Sequence, residues 1–308
     1  DARAMRRVLR TLPEMSVMSL PSSSKTRMVY DAQNKGMAQL PGKLVRNEGS
    51  APSKDAAVDE AYDHSGITYD FYAENYQRNS LDDHGMALLS SVHVGKNLNN
   101  AFWTGQQMAY GDGDGKLFTR FTKSLDVVAH ELTHGVITHE ANLVYQDESG
   151  ALNEHFADVF GVLTAQWRLG QTADAADWLV GKDVIGPQSK VQSIRTFKGE
   201  KAYEKDPYFG TDPQPKHLKD KYTGVDDNGG VHINSGIPNH AFYLFALSLA
   251  GNAWDTAGKV WYATLRHLNM HSDFADMVQT TEMICGQQNG AGGKATKALK
   301  AAWKKVGF

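Results

Sequence analysis

Apolar residues recur at helical spacing through most of the second half of the chain. Ser124 is a residue type that can cap a helix. After it, apolar residues follow a period of about 3.6 residues, at Leu125, Val128, Leu132, Val136 and Ile137. The same periodicity predicts helices over about residues 151–169, 236–250, 254–267, 273–285 and 294–305. The stretch 183–230 carries four prolines and is predicted as loop, which separates the early helices from the late ones.

The first half mixes short strand patterns with turns and one long helix pattern. Strands are predicted at Met28–Ala32, Leu88–Val94 and Met108–Tyr110, and a helix over residues 55–77. Before them, residues 2–12 form a basic amphipathic pattern, and a Ser-rich run to residue 24 follows. This N-terminal segment is interpreted either as a frayed arm or as the remnant of a pro-segment. The chain as a whole is predicted to be α+β.

Composition narrows the class of protein. The length of 308 residues suggests about two domains, and 41% hydrophobic with 22% charged residues is typical of a globular chain. The formal net charge of −3 lacks the basic excess of a nucleic-acid-binding domain, and no apolar run is long enough to predict a membrane span. Cys285 is the only cysteine, so any metal must be bound by His, Asp and Glu.

A short helical motif carries the candidate chemistry. His130 and His134 lie four residues apart, so both imidazoles share one helix face and can bind a single ion. Glu131 lies between them, beside the position where a water would bind. On the next predicted helix, Glu154 and Asp158 share a face as well, and one of them can bind metal while the other orients a ligating histidine. This spacing predicts a catalytic zinc site with three protein ligands and one open position.

Five sequence blocks in order carry a resemblance to a known family. They are Asn99-Asn-Ala-Phe-Trp103, Tyr110-Gly-Asp-Gly-Asp-Gly115, Asp126-Val-Val-Ala-His-Glu-Leu-Thr-His134, Gly150-Ala-Leu-Asn-Glu154 and Asp227-Asn-Gly-Gly-Val-His232-Ile-Asn-Ser-Gly236. The chain from about Met28 onward resembles the thermolysin-like zinc metallopeptidases, in particular the protealysin-like group with short precursors. The resemblance implies a two-lobed α+β fold with the active-site cleft between a mixed N-terminal lobe and a mainly helical C-terminal lobe.

The resemblance also implies a role for each matching residue. It makes His130, His134 and Glu154 the zinc ligands and Asp158 the group that orients His130. Glu131 would take a proton from the attacking water and later deliver it to the leaving amine. The oxyanion would be stabilised by Tyr145 and His232, and Asp227 would favour the protonated form of His232. Read without the family, residues 227–230 are only a polar turn.

Substrate binding is implied in the same way. Asn100 and the Ala101 backbone match positions that pair with an extended substrate, and Arg195 matches one that holds a carbonyl after the scissile bond. The pocket for the residue after that bond would be lined by Phe118, Phe121, Val127, Val184 and Ile194. Such an apolar pocket favours bulky hydrophobic side chains. The expected activity is a zinc endopeptidase, made as a zymogen, that cleaves on the amino side of these residues.

At a double calcium site the chain departs from the family. Asp126, Asp177 and Asp183 match, but Ala165, Leu179 and Lys182 stand where the resemblance requires glutamates. Calcium needs six to eight oxygen ligands, several of them charged. We therefore predict that no double calcium site forms, while a single calcium elsewhere stays open. His139 and His155 have no partner at ligand spacing and are predicted not to bind the zinc.

The predicted organisation has three parts: a pro-segment remnant or arm over residues 1–26, an α+β lobe over 27–145 and a mainly helical lobe over 146–308. Its partners would be peptide or protein substrates and its own pro-segment as an inhibitor, with neither nucleic acid nor membrane. Secretion is the expected location, with cytoplasmic storage as the alternative. Three rival functions are a catalytically silent binding module, a structural zinc protein, which normally has four protein ligands, and an exopeptidase.

Overall fold

The computed structural model describes residues 25–308, which divide into two compact units. One unit takes the described residues up to Val136 together with Gly181–Lys190, and the other comprises Ile137–Val180 and Val191–Phe308. The basic pattern at residues 2–12 and the Ser-rich run after it lie outside the described residues.

The first unit is built on a five-stranded sheet. Its strands in chain order are β1 (Arg27–Asp31), β2 (Lys43–Asn47), β3 (Leu88–Val92), β4 (Ala101–Trp103) and β5 (Met108–Tyr110), and their order in the sheet is β2-β1-β3-β5-β4. β1, β3 and β5 run parallel, whereas β2 and β4 pair antiparallel at the two edges. The three strands predicted from the sequence are confirmed, and the two edge strands were not foreseen.

Two helices complete the part of this unit that carries the site. Helix α1 (Ala56–Tyr76) packs against β1 and β3, and its first N–H groups are capped by the Asp55 carboxylate. Helix α2 (Leu125–His139) follows a short 3-10 turn. The Ser124 hydroxyl donates to Asp126, whose carboxylate in turn accepts the N–H of Val127. The Asp126 side chain therefore satisfies one of the N–H groups at the start of the helix.

The second unit is mainly helical, as its periodicity predicts. Its helices are α3 (Asp147–Leu169), α4 (Asp226–Asn234), α5 (Gly236–Leu249), α6 (Thr256–Leu265), α7 (Phe274–Asn289) and α8 (Lys294–Val306), and β6 (Leu179–Val180) pairs antiparallel with β7 (Arg195–Thr196). Helix α3 is buried along most of its length and packs against α4, α5, α6 and α7. Trp261 fills the core, with ring centroids 4.9 Å from Phe242 and 6.0 Å from Trp303. Of the helices described, none combines the length and apolar character that a membrane crossing requires.

Candidate active site

Helix α2 places two imidazoles side by side. The rings of His130 and His134 lie edge to face with centroids 4.8 Å apart, and their Nε2 atoms are separated by 3.2 Å. Both side chains are buried. The backbone of this helix is held from below, because the Tyr72 hydroxyl bonds the Thr133 hydroxyl at 2.8 Å and Thr133 donates to the Ala129 carbonyl. Thr133 thus ties the helix that carries the two rings to helix α1.

Glu154 on α3 completes a group that fits a metal ion. One ligand atom from each of His130, His134 and Glu154 lies within 4.8 Å of the others. Zinc–nitrogen bonds of about 2.0–2.1 Å in tetrahedral geometry hold two nitrogens roughly 3.3–3.4 Å apart, which matches the observed 3.2 Å. Glu154 is 1% exposed, and a divalent cation would offset the charge of this buried carboxylate. The donor set, its burial and its spacing therefore fit zinc.

Glu131 lies against the edge of the sheet. Its Oε2 accepts the backbone N–H of Trp103 on β4 at 3.1 Å, which fixes the carboxylate next to the edge strand. Tyr110 is fully buried, and burial together with the negative charge of Glu131 holds the pKa of this phenol well above its usual range. The phenol therefore stays neutral near Glu131.

A left-handed turn aims a second set of groups at Glu154. The four residues Asp227–Gly230 at the start of α4 all have φ between 51° and 84°. Glycine adopts this left-handed region easily, and Asp and Asn adopt it more readily than other residues with a side chain. In this turn Asp227 accepts both the backbone N–H of His232 at 2.8 Å and its Nδ1 at 2.7 Å. The other ring nitrogen, Nε2, lies 3.1 Å from the Tyr145 hydroxyl, which donates to Glu154.

The direction of one of these bonds follows from its acceptor. A carboxylate only accepts hydrogen bonds, so the contact with Asp227 places a proton on Nδ1 of His232. The role that the resemblance implies for Asp227 toward His232 stays a prediction.

Asp158 and Arg195 form a buried ion pair. The guanidinium donates from Nε at 2.9 Å and from Nη2 at 2.6 Å to the two carboxylate oxygens. Burial alone would lower the pKa of Arg195, but the charge and hydrogen bonds of Asp158 outweigh burial and raise it. Asp158 also accepts from Asn239 at 2.9 Å. Its predicted role toward His130 stays a prediction, while its contact with Arg195 was not foreseen.

The residues that the resemblance implies in substrate binding lie at the edge strand β4 and in both units. Asn100 and Ala101 lie at the start of β4, the edge strand, where Ala101 pairs with Tyr110 on the inner side. In the first unit the Phe118 and Phe121 rings lie 5.6 Å apart, while Val127 and Val184 are buried. In the second unit Ile194 donates its backbone N–H to Val180 at the end of β6.

Asp126, from the predicted remnant of the calcium site, is engaged by the protein itself. Its carboxylate accepts from the backbone N–H of Gly181 at 2.7 Å as well as from Ser124 and Val127. Burial raises the pKa of Asp126, and the nearby Asp183 adds to the effect. Asp177 accepts from the N–H of Leu179, two residues along the chain.

His155 is a core residue. It is fully buried, and its two ring nitrogens bond Asn239 and Trp261 at 2.7 Å each, so neither is available to a metal. Burial lowers the pKa of His155 to about 4, which keeps the ring neutral near pH 7. Asn239 and Trp261 were missed by sequence reasoning, because they lie 84 and 106 residues from His155 along the chain.

Comparison with known proteins gives a consistent picture over nearly the whole chain. Residues 5–138 match the family described as thermolysin metallopeptidase, catalytic domain, and residues 141–308 match thermolysin metallopeptidase, alpha-helical domain. The extracellular metalloprotease of Pectobacterium carotovorum subsp. carotovorum is 50% identical over 257 residues, which covers 83% of this chain and 74% of the relative. Protease PrtS of Photorhabdus sp. (strain Az29) is 47% identical over 290 residues, covering 93% of this chain and 77% of the relative.

A solved structure is similar along the same length. It is the precursor of protealysin, a metalloproteinase from Serratia proteamaculans, which superimposes with a TM-score of 0.90 at 45% identity. The match covers 99% of this chain and 97% of that one.

Proposed function

The chain belongs to the thermolysin family of zinc metalloendopeptidases, and from this premise we propose that it cleaves peptide bonds on the amino side of bulky hydrophobic residues. The observation that carries the proposal is the buried group of His130, His134 and Glu154 with Glu131 on the same helix. The fold is the predicted one: a unit with sheet and helices is followed by a helical one, as in the protealysin precursor.

Glu131 acts as the proton carrier of the reaction. His130, His134 and Glu154 would hold the zinc, which when bound would lower the pKa of a water and polarise the substrate carbonyl. The carboxylate of Glu131, fixed by the Trp103 N–H, takes the proton of the attacking water and passes it to the leaving amine. Because one group performs both transfers, its loss removes the acid as well as the base.

Tyr145 and His232 are the donors for the oxyanion. The Tyr145 hydroxyl lies 3.1 Å from His232 Nε2. We propose that Asp227 favours the doubly protonated ring, which would bring a positive charge to the point where negative charge develops. Asp227 holds this ring from behind with two hydrogen bonds, one to the backbone and one to Nδ1. The left-handed turn therefore serves the reaction by orienting a cationic donor.

The substrate binds as an additional strand. The outer side of β4 belongs to a sheet edge, so the backbone at Asn100 and Ala101 can pair with an extended peptide. Phe118, Phe121, Val127, Val184 and Ile194 form the hydrophobic pocket for the residue that follows the scissile bond. Arg195, held by Asp158, donates to the carbonyl of that residue.

Residues 1–26 would belong to a pro-segment that acts as an inhibitor, with an N-terminal arm as the alternative. Residues 27–145 would form the first lobe and residues 146–308 the second. The similarity to a protein solved as a precursor supports this assignment. The relative from Pectobacterium is named an extracellular metalloprotease, which supports secretion of this protein as well. Peptides and proteins are its substrates.

Mapping of cleavage products tests the function. An unfolded protein such as casein is digested with and without a zinc chelator, and the new N-termini are identified by mass spectrometry. We expect internal cuts that leave Leu, Phe, Ile or Val at the new N-termini and that cease with the chelator. Release of single terminal residues would favour the exopeptidase alternative, and cuts without a hydrophobic preference would refute the proposed pocket.

A further inference from the structure

A chain of three buried polar side chains lies behind the Asp158–Arg195 pair, and the reaction described above does not use it. His155 on α3, Asn239 on α5 and Trp261 on α6 are each 0% exposed. Trp261 Nε1 donates to His155 Nε2 at 2.7 Å, His155 Nδ1 bonds Asn239 Oδ1 at 2.7 Å, and Asn239 Nδ2 donates to Asp158 Oδ2 at 2.9 Å. The chain thus ends on the carboxylate that holds Arg195.

Only one arrangement of protons satisfies this chain with a neutral imidazole. An indole N–H only donates and a carboxylate only accepts, so both ends of the chain are fixed. His155 must therefore accept at Nε2 and donate from Nδ1, and Asn239 must turn its carbonyl to His155 and its NH2 group to Asp158. A flipped Asn239 would place its oxygen against the carboxylate and leave the His155 N–H facing a donor.

Trp261, the end of this hydrogen-bonded chain that lies away from Asp158, is held by close packing. The Trp261 ring lies 4.9 Å from Phe242, 5.7 Å from Phe245 and 6.0 Å from Trp303. A large ring enclosed on several sides in a close-packed core has little freedom to move. Through His155, the orientation of the Asn239 amide is therefore set by the closely packed Trp261 ring.

The effect of this chain falls on Arg195. Asp158 Oδ2 is shared by Arg195 Nε and Asn239 Nδ2, both at 2.9 Å, while Oδ1 accepts Arg195 Nη2 at 2.6 Å. A buried ion pair offsets its desolvation only with good geometry and with further hydrogen bonds to its remaining lone pairs. We propose that Asn239, backed by His155 and Trp261, is a positioning residue that fixes the plane of the Asp158 carboxylate and through it the guanidinium that holds the substrate carbonyl.

This inference rests on the proposed function, and a pair of substrates isolates it. Both are blocked peptides with the same group before the scissile bond; one ends in leucinamide and the other in 3-methylbutylamide, which keeps the side-chain bulk but lacks the carbonyl that Arg195 holds. The ratio of their kcat/KM values measures the contribution of that carbonyl. Because both substrates are assayed on the same sample, the folded fraction of each variant cancels.

The expected results are specific to positioning. Asn239→Leu lowers the ratio about 5- to 30-fold, since misplaced binding groups cost up to roughly 100-fold, and it changes the ratio less than about twofold when Arg195→Leu is already present. His155→Gln, which retains a donor and an acceptor, keeps the wild-type ratio, whereas His155→Leu lowers it. Bound zinc, measured in each variant, is unchanged.

Opposite results overturn the inference. Asn239→Leu could lower kcat/KM for both substrates equally, or it could lower their ratio equally with and without Arg195. Either result would show that the three hydrogen-bonded side chains only stabilise the core. The same conclusion follows if His155→Gln and His155→Leu give equal ratios. A wild-type enzyme that cleaves neither substrate, or cleaves them without zinc, contradicts the proposed function itself, so the two failures are distinguishable.

Discussion

Replacing Asp227 by Asn tests how the left-handed turn contributes to catalysis. The backbone N–H of His232 can only donate, so it takes the amide oxygen of the new side chain, and the NH2 group then faces Nδ1. This reverses the bond and leaves His232 neutral with its proton on Nε2. The ring still donates to the oxyanion, but it no longer carries a charge.

The size of the effect follows from the difference between the two kinds of hydrogen bond. A charged donor contributes about 1.5–3 kcal/mol and a neutral one about 0.5–1.5 kcal/mol, so about 1–1.5 kcal/mol of transition-state stabilisation is lost. We expect kcat/KM to fall about 5- to 15-fold, mainly through kcat. A blocked hydrophobic dipeptide amide is a suitable substrate for the measurement.

Two controls make this result decisive. Asp220→Asn makes the same charge change at an exposed residue and should leave kcat/KM unchanged. In a His232→Phe background, Asp227→Asn should have no further effect, because its only route to the substrate is gone. An Asp227→Asn enzyme as active as Asp220→Asn would refute the role of the turn, and an undiminished effect in the His232→Phe background would show that Asp227 acts by another route.

Three further predictions concern stability, proton transfer and metal binding. Hydrogen bonds and charge from Asp112, and then from Asp55, raise the pKa of His93 to about 9. In denaturant unfolding, the wild type should therefore be more stable than His93→Gln by about 1–2 kcal/mol below about pH 6.5. This difference in the free energy of unfolding should disappear as the pH rises through about 9. A difference that stays constant across that pH range would contradict the prediction. Glu131→Gln should keep its zinc and lose about 100- to 10,000-fold in turnover, whereas substantial activity would identify another base. Calorimetric titration should detect no pair of tightly bound calcium ions at Asp126, and two tight sites would disprove the prediction.

The long helices could be predicted closely because their apolar spacing is regular. The pattern over residues 55–77 corresponds to Ala56–Tyr76, and the one over 294–305 to Lys294–Val306. The periodicity predicts that α3 starts at about residue 151, whereas the helix begins at Asp147, because its first turn contains no large apolar residue. Acidic residues in that turn stabilise the helix through its dipole instead. The edge strand Ala101–Trp103 is too short to show alternation.

The grouping of His130, His134 and Glu154 could be predicted because local spacing encodes the two histidines, and the glutamate lies on the next helix. Other contacts of the candidate site join residues that are distant in the chain. Tyr145 meets His232 across 87 residues, and Asp158 meets Asn239 across 81. No periodicity reports such a pair, so the role of His232 came from the family resemblance, and that of Asn239 only from the structure.

Stepwise return of zinc to the chelated enzyme tests the central claim most directly. Hydrolysis of the blocked dipeptide is followed while bound zinc is measured, in wild type and in Glu154→Ala. We predict that wild-type activity rises in proportion to bound zinc and stops rising at about one ion per chain, while Glu154→Ala gains neither tight zinc nor activity. Full activity in the zinc-free enzyme, or an unaltered zinc titration in Glu154→Ala, would contradict the account.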